Sequence, residues 1–405
     1  MDNEPRGRLI ELPHAPEAIE LRHLRAFVAV AQELNFSRAA ERLYLSQPAL
    51  SRQISSLEKL LRVDLLRRTT QRVELTLAGE ALLDRVKTVL ADLDDAVQVT
   101  RSVGGETYER VERLLRPLAE SVDDLDAFRA ANEQLSAQFP TPAGIEMRPV
   151  TAGGVPSLAF GRDHGELPSI LHVHGGGYVV GSAYGYRPLA GALAVAASAT
   201  VLVPDYRLAP EHPFPAAADD VVAAYTWLAE RHDPAALTLC GDSTGGGLAM
   251  SALLRLRADG APLPGRVVLL SPGVDLTCRV VRDHSEPQPM GIVDLTERFA
   301  GIYLDGHPAD DPLVNPLYAD LAGLPPLLVQ AATGEPALPE CRALVDRATA
   351  AGVDARLELY PVSTHVFHLY WSFLPEAAEA LERAAEFIAA STAEARADPA
   401  ARSAG

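Results

Sequence analysis

Gly241-Asp242-Ser243-Thr244-Gly245 sets a hydroxyl between glycines, directly after the short apolar run at 237–240 and at the glycine-rich start of a helix. A strand-to-helix turn this sharp needs strained backbone angles, which glycines tolerate, and it lifts the serine oxygen clear of the sheet. A serine hydroxyl is a weak nucleophile until a base takes its proton and a carboxylate fixes that base. In this setting the chain order is serine, acid, histidine. His365, in Ser363-Thr364-His365-Val366-Phe367 after a strand ending at Tyr360, is the candidate base, with His368 as its competitor. Glu335, in Gly334-Glu335-Pro336 just past a strand at 326–330, is the candidate acid. Glu340 is the alternative acid, and a solvated loop role is the bland reading of Glu335. His174-Gly175-Gly176-Gly177-Tyr178 follows another strand, and three glycines in a row free backbone N–H groups. Donors from this loop and from Thr244 could converge on a developing oxyanion, each worth roughly 3 kcal/mol at the transition state. A phosphate cradle would need a Lys-Ser/Thr after the glycines, and none follows.

These residues need a rigid frame, and the chain's patterning predicts one. Short apolar runs at 169–173, 200–204, 237–240, 267–270, 326–330 and 357–360 alternate with helical patterns at 187–197, 217–231, 246–258, 339–351 and 375–390. Strand and helix in alternation means a mostly parallel sheet with helices on both faces. The stretch 271–324, rich in Asp and Pro, breaks the rhythm and reads as an insertion over the strand ends. The region 108–139 reads as helical, and 391–405 as a disordered Ala-rich tail.

The first hundred residues follow another pattern. Apolar residues recur at helical spacing in three bursts: Leu24, Phe27, Val28 and Ala31; Ala39, Ala40 and Leu43; Leu50, Ile54 and Leu57. Ser37 and Ser46 stand where N-caps belong, and Pro48 falls in a first turn. The short second connection is helix-turn-helix spacing, and Val73-Glu74-Leu75-Thr76 after Arg67-Arg68-Thr69-Thr70 reads as a β-wing. Leu83, Val86, Leu90, Leu93 and Val97 then form a heptad seam, expected to pair two chains in a homodimer or higher homo-oligomer. A single amphipathic helix docked on the body is the alternative. Gly104-Gly105 ends this helix. The expected division is a tail at 1–18, a DNA-binding domain at 19–79, a linker helix at 80–103 and a large domain at 106–390.

Charge separates the two parts. The chain is 405 residues long, 48% hydrophobic and 22% charged, which excludes a disordered or fibrous protein. Its net charge is −18, yet 21–79 holds ten Lys and Arg against five Asp and Glu, leaving 26 against 49, or −23, for the rest. A small basic module on an acidic body fits one part that meets a polyanion and another with a different task. Three cysteines far apart suggest neither a disulfide framework nor a zinc site, and no metal or cofactor is expected. With no apolar leader in the first 16 residues and no bilayer-length apolar stretch, the expected location is the cytoplasm.

Two resemblances follow. His174 to Tyr178, Asp205-Tyr206-Arg207-Leu208-Ala209-Pro210-Glu211-His212-Pro213-Phe214-Pro215, and Gly241 to Gly246 resemble the hormone-sensitive-lipase-like esterases of the α/β-hydrolase fold. The resemblance implies Ser243 as nucleophile, His365 as base, Glu335 as acid where the family more often has Asp, and Gly176, Gly177 and Thr244 as the oxyanion hole. It also implies a cap built from 107–140 and 271–324, and a small ester as substrate. Leu21-Arg22-His23-Leu24-Arg25-Ala26-Phe27, Phe36-Ser37-Arg38-Ala39-Ala40 and Ser46-Gln47-Pro48-Ala49-Leu50-Ser51-Arg52-Gln53 resemble the LysR-type DNA-binding module, here without the family's usual effector domain. Pro48, Ser51, Arg52 and Ser55 share the face of the third helix that is free for a major groove, and Gln47 at its start reaches bases too. Arg67, Arg68 and Arg72 near the wing are expected on phosphates. Arg62 stands where the family usually has glycine, and Leu66 where it has phenylalanine. The expected function is a carboxylesterase joined to a dimeric module for duplex DNA. The alternative is a regulator whose hydrolase-fold domain senses a ligand with little turnover.

Overall fold

The computed structural model describes residues 19–43, 45–68, 73–103, 105–162, 167–283 and 292–397. The chain divides into two units, 1–97 and 98–405.

In the first unit, α1 (Leu21–Glu33), α2 (Phe36–Arg42) and α3 (Gln47–Leu61) precede a two-stranded antiparallel wing of β1 (Leu66–Arg68) and β2 (Val73–Leu75) and the start of the long α4 (Leu77–Val103), whose residues from 98 on fall in the second unit. The three apolar bursts, Val28 apart, form one core in which Phe27, Leu50, Ile54 and Leu57 are wholly buried. Each such side chain contributes about 1.5–3 kcal/mol. Ser46 caps α3 as expected, accepting from the Ala49 N–H at 3.4 Å. The cap of α2 is not Ser37 but Asn35, whose Oδ1 accepts from the Ser37 and Arg38 N–H groups at 2.9 and 3.1 Å. An amide oxygen reaches donors two and three residues ahead as well as a serine does, so the helix starts two residues early. Arg62, in the glycine position of the resembled family, ends α3 in the left-handed region at φ 54°. Along α4, Leu83 packs on this core, Val86 is buried, Leu90 and Leu93 are half-buried and Val97 is exposed. The head of the seam is therefore used within the chain.

In the second unit, α5 (Glu106–Glu120) and α6 (Leu125–Ser136) split the helical region expected at 108–139. An eight-stranded sheet follows in the order β10-β9-β8-β7-β5-β6-β4-β3. Its strands are β3 (Glu146–Ala152), β4 (Val155–Gly161), β5 (Ile170–Val173), β6 (Val201–Pro204), β7 (Thr238–Asp242), β8 (Arg266–Leu270), β9 (Leu327–Ala332) and β10 (Ala355–Tyr360). β5 to β10 are mutually parallel, whereas the β3–β4 hairpin is antiparallel and adds through β4 to β6. The sequence reading lacked this hairpin. Pro149 and Pro156 obscured its strands, although Gly153-Gly154, both at positive φ, is a hairpin-turn signal.

The connecting helices are α7 (Arg187–Ala197), α8 (Ala216–Ala229), α9 (Thr244–Ala258), α12 (Leu338–Ala350) and α13 (Pro375–Ala397). Period-two alternation sorts the strands between two cores: Leu171, Leu239, Leu269 and Val329 face α8, α9 and α12, while Ile170, Cys240, Val268 and Leu328 face α7 and α13. α13 continues to Ala397, past the expected start of the tail at Ser391, because the Ala-rich sequence there favours helix. The remaining tail lies outside the described residues. The 271–324 insertion carries α10 (Arg279–Asp283) and α11 (Ile292–Leu304) and, among its described residues, no strand.

Candidate active site

Strand β7 ends at Asp242 and α9 begins at Thr244, so Ser243 alone makes the turn. It does so at φ 50°, ψ −129°, conformations that cost a non-glycine residue about 1–3 kcal/mol and persist only when surroundings over-determine them. The surroundings are specific: the Ser243 N–H donates to the Leu270 carbonyl at 3.0 Å, and the Ser243 carbonyl accepts from Gly246 and Gly273 at 2.9 and 2.8 Å. Gly245 lets α9 lie against β5, since a Cβ there would stand 2.2 Å from the Val173 carbonyl oxygen.

His365 comes from the loop after β10 and Glu335 from the turn after β9, both at the carboxyl ends of parallel strands, as Ser243 is. His365 Nε2 lies 2.9 Å from Ser243 Oγ, and His365 Nδ1 lies 2.7 Å from Glu335 Oε2. The other carboxylate oxygen of Glu335 accepts from the Ser271 hydroxyl at 2.9 Å and the Ala332 N–H at 2.7 Å. Glu335 is buried and aimed. Burial opposes a charge on His365, but the hydrogen bond and charge of Glu335 outweigh it, and the imidazole is held above its ordinary value. The arrangement can take a proton from Ser243 Oγ and stabilise the resulting imidazolium.

The competing residues fall elsewhere. His368 is wholly buried beside Gln330, its Nε2 3.2 Å from Gln330 Oε1, and burial with the charges of His365 and His172 drives it down to about 3. It is a neutral core residue. Glu340 Oε2 accepts from the Val274 and Asp275 N–H groups at 2.7 and 2.9 Å. Burial raises Glu340 to about 7 against those hydrogen bonds, and its carboxylate braces the loop after β8.

Gly176 and Gly177, at φ 123° and 63°, fold the glycine loop beside Thr244 at the N-terminus of α9. The Gly177 N–H donates to Thr244 Oγ1 at 2.9 Å, while the Gly176 and Thr244 N–H groups have no partner among the described residues. Two cavities meet at Ser243 and His365. One of about 520 Å³ runs under α5 and α6 past Val111, Leu115 and Leu135, and one of about 80 Å³ is lined by Gly273, Leu276, Cys278 and Glu340. The two segments expected to form the cap are pinned together and to the loops after β5 and β6. Arg298 of α11 donates to Asp123, the Phe128 and Phe299 rings meet at 5.3 Å with their planes tilted by 58°, and Arg129 of α6 grips Glu211 and the Val179 and Ala209 carbonyls. What sequence reasoning missed is the layer behind the site: Ser271, Tyr186 and His172. His172 carried a signal, lying within β5 just ahead of the glycine loop.

In the first unit, Gln47, Pro48, Arg52 and Ser55 are exposed and Ser51 half-exposed on one face of α3, with Leu50, Ile54 and Leu57 buried opposite. Arg67 is exposed on the wing. The backbone of Arg68 lies in β1, its side chain is outside the described set, and Arg72 lies outside the described residues altogether. Among the described residues no group of three or more His, Cys, Asp or Glu could hold a metal ion, and no helix is long and apolar enough to cross a membrane.

Residues 170–369 match the family described as alpha/beta hydrolase fold, and residues 21–80 match the bacterial regulatory helix-turn-helix proteins of the lysR family. An acetyl-hydrolase of Streptomyces hygroscopicus is 42% identical over 229 residues, covering 56% of this chain and 77% of that protein. An esterase of Acinetobacter venetianus is 32% identical over 288 residues, covering 69% of this chain and 95% of that protein. The crystal structure of an esterase from the bacterial hormone-sensitive lipase family superposes with a TM-score of 0.63 at 39% identity, covering 68% of this chain and 96% of that one. The chain therefore belongs to the hormone-sensitive-lipase family of the α/β-hydrolase fold, and it carries a LysR-type helix-turn-helix module ahead of that domain.

Proposed function

We propose that the chain is a serine carboxylesterase for short-to-medium acyl esters, covalently joined to a module that binds duplex DNA as a dimer. The observation that carries the first half is the hydrogen-bonded chain from buried Glu335 through His365 to Ser243. His365 Nε2 takes the Ser243 proton as Oγ attacks the ester carbonyl. The oxyanion falls to the N–H groups of Gly176, Gly177 and Thr244, the Gly177 donor turning from Thr244 Oγ1 to the stronger acceptor. His365 then protonates the departing alcohol, and a water activated by the same imidazole releases the acid from Ser243. The likeness to an acetyl-hydrolase and to an esterase supports ester chemistry.

For the second half, the support is the exposed polar face of α3 over an apolar one, within a basic segment of LysR type. Gln47 and Arg52 read bases, with Pro48 and Ser51 beside them, while Arg67, Arg68 and Arg72 sit on phosphates. Leu90, Leu93 and Val97 remain for pairing two chains, and the cytoplasm is where such a protein meets DNA. The test is hydrolysis of a panel of aryl esters by the purified protein and by Ser243→Ala. Loss of several orders of magnitude in kcat with the fold retained is expected, and full activity in the variant would refute the esterase assignment. Selection of genomic fragments by the same protein tests the DNA half, and no enriched sequence at low salt would refute it.

A further inference from the structure

The parallel register of β5 against β7 sets His172 beside Cys240, and the alternation of a strand points both side chains toward α7. Asp242, two residues on from Cys240, extends from the same face, and all three are wholly buried. His172 Nδ1 lies 3.3 Å from Cys240 Sγ. His172 Nε2 lies 3.0 Å from Asp242 Oδ1, the distance of an ion pair. Burial works against a charge on His172, but the Cys240 sulfur and the Asp242 carboxylate outweigh it and raise the imidazole to about 10. A buried carboxylate is costly unless it is paired and hydrogen-bonded, and Asp242 is both.

The carboxylate spends its hydrogen bonds on one target. Oδ1 accepts from the Gly175 N–H at 3.1 Å, and Oδ2 accepts from the Tyr186 hydroxyl at 2.8 Å. The Tyr186 oxygen in turn accepts from the same Gly175 N–H at 3.1 Å. The fit is close enough that a Cβ on Gly175 would lie 2.6 Å from Asp242 Oδ2 and 3.0 Å from Ser243 Cβ. Gly175 immediately precedes Gly176 and Gly177, and Asp242 immediately precedes Ser243.

We propose that Asp242 is a positioning residue for the oxyanion donors, its carboxylate tying the glycine loop to the strand end that carries Ser243. The two sources of donors, the loop and the start of α9, sit on different segments of chain. Their spacing must hold to about 0.5 Å for both to reach one oxygen, and this tether sets it. Among the described residues its carboxylate hydrogen-bonds the loop and Tyr186, and neither Ser243 nor His365. The effect is expected in transition-state binding and not in ground-state binding.

The inference rests on the ester-hydrolysis reading, so the experiment first compares wild type with Ser243→Ala. Equal activity there overturns the reading itself, before Asp242 is considered. Asp242→Asn is then assayed for kcat and KM on a 4-nitrophenyl ester. It is also assayed for inhibition by an aryl trifluoromethyl ketone, which takes Ser243 Oγ at its carbonyl carbon, passes the serine proton to His365 and leaves an oxyanion on the donors. The matching aryl methyl ketone serves as the ground-state control. The expected result is a fall in kcat of about ten- to hundredfold, an equal loss of trifluoromethyl ketone affinity, and KM and methyl ketone affinity within about twofold of wild type. Unchanged kcat, or a parallel loss of methyl ketone affinity, would overturn the assignment. If Asp242→Asn does not fold, Tyr186→Phe removes one acceptor of the Gly175 N–H and one donor to Asp242. It is expected to show the same split at about three- to tenfold, and unchanged kcat in that folded variant would overturn the proposal equally.

Discussion

Glu335→Gln separates the two candidate acids and tests how the base is aimed. Glu335 Oε1 is committed to the Ser271 hydroxyl and the Ala332 N–H, at 2.9 and 2.7 Å. A glutamine must keep its amide oxygen there, because its NH₂ group has nothing to accept those two donors. The NH₂ then takes the position 2.7 Å from His365 Nδ1 and forces that nitrogen to accept. The imidazole proton moves to Nε2, facing Ser243 Oγ, and the base is presented in the wrong tautomer. An exchange of this kind costs about 10³- to 10⁴-fold in kcat, or about 4–5.5 kcal/mol of transition-state stabilisation. The carboxylate that holds His365 above its ordinary value is lost as well, so the base deprotonates more easily. The acid limb of kcat/KM against pH is expected to move to lower pH in the variant. Steady-state kinetics across pH on one aryl ester, with circular dichroism to verify the fold, measures both effects. The reasoning fails if Glu335→Gln keeps kcat within tenfold of wild type, or if Glu340→Gln is the more damaging change.

Glu340, raised to about 7 by burial from an unfolded value near 4.3, binds more protons folded than unfolded between those values. Its contribution to stability is therefore full below pH 4 and lost as pH rises through 7; Glu340→Gln should flatten that part of the stability–pH curve in chemical denaturation. Arg62, left-handed at φ 54°, costs the helix end about 1 kcal/mol that glycine would not, so Arg62→Gly is expected to stabilise the N-terminal unit by about that amount in thermal unfolding. Arg52→Ala should cost about 1–3 kcal/mol on a preferred DNA site and relax its specificity, whereas Arg67→Ala should weaken all sequences alike and reduce the salt slope, both read by fluorescence anisotropy.

Local rules made much of the chain legible. Glycines around Ser243 announce a sharp turn because only small residues allow the backbone approach made there, and the order of serine, glutamate and histidine survives in one dimension because each sits at the end of its own strand. The apolar alternation that predicts β5 to β10 is the same period that later divides their side chains between two cores. The three bursts of the N-terminal module are likewise visible, since short helices with one buried face repeat at 3.6 residues. Proline hid the β3–β4 hairpin, because a ladder donor missing in sequence reads as a break unless the edge position of the strand is known. Only the tertiary structure chose between His365 and His368, or between Glu335 and Glu340. These pairs differ by a few residues in sequence, yet one member of each faces Ser243 while the other is spent on the core or on a neighbouring loop. The same holds for Asp242, His172 and Tyr186. Strand register and the packing of α7 bring them to one point, and no sequence spacing encodes a register between strands separated by two crossovers.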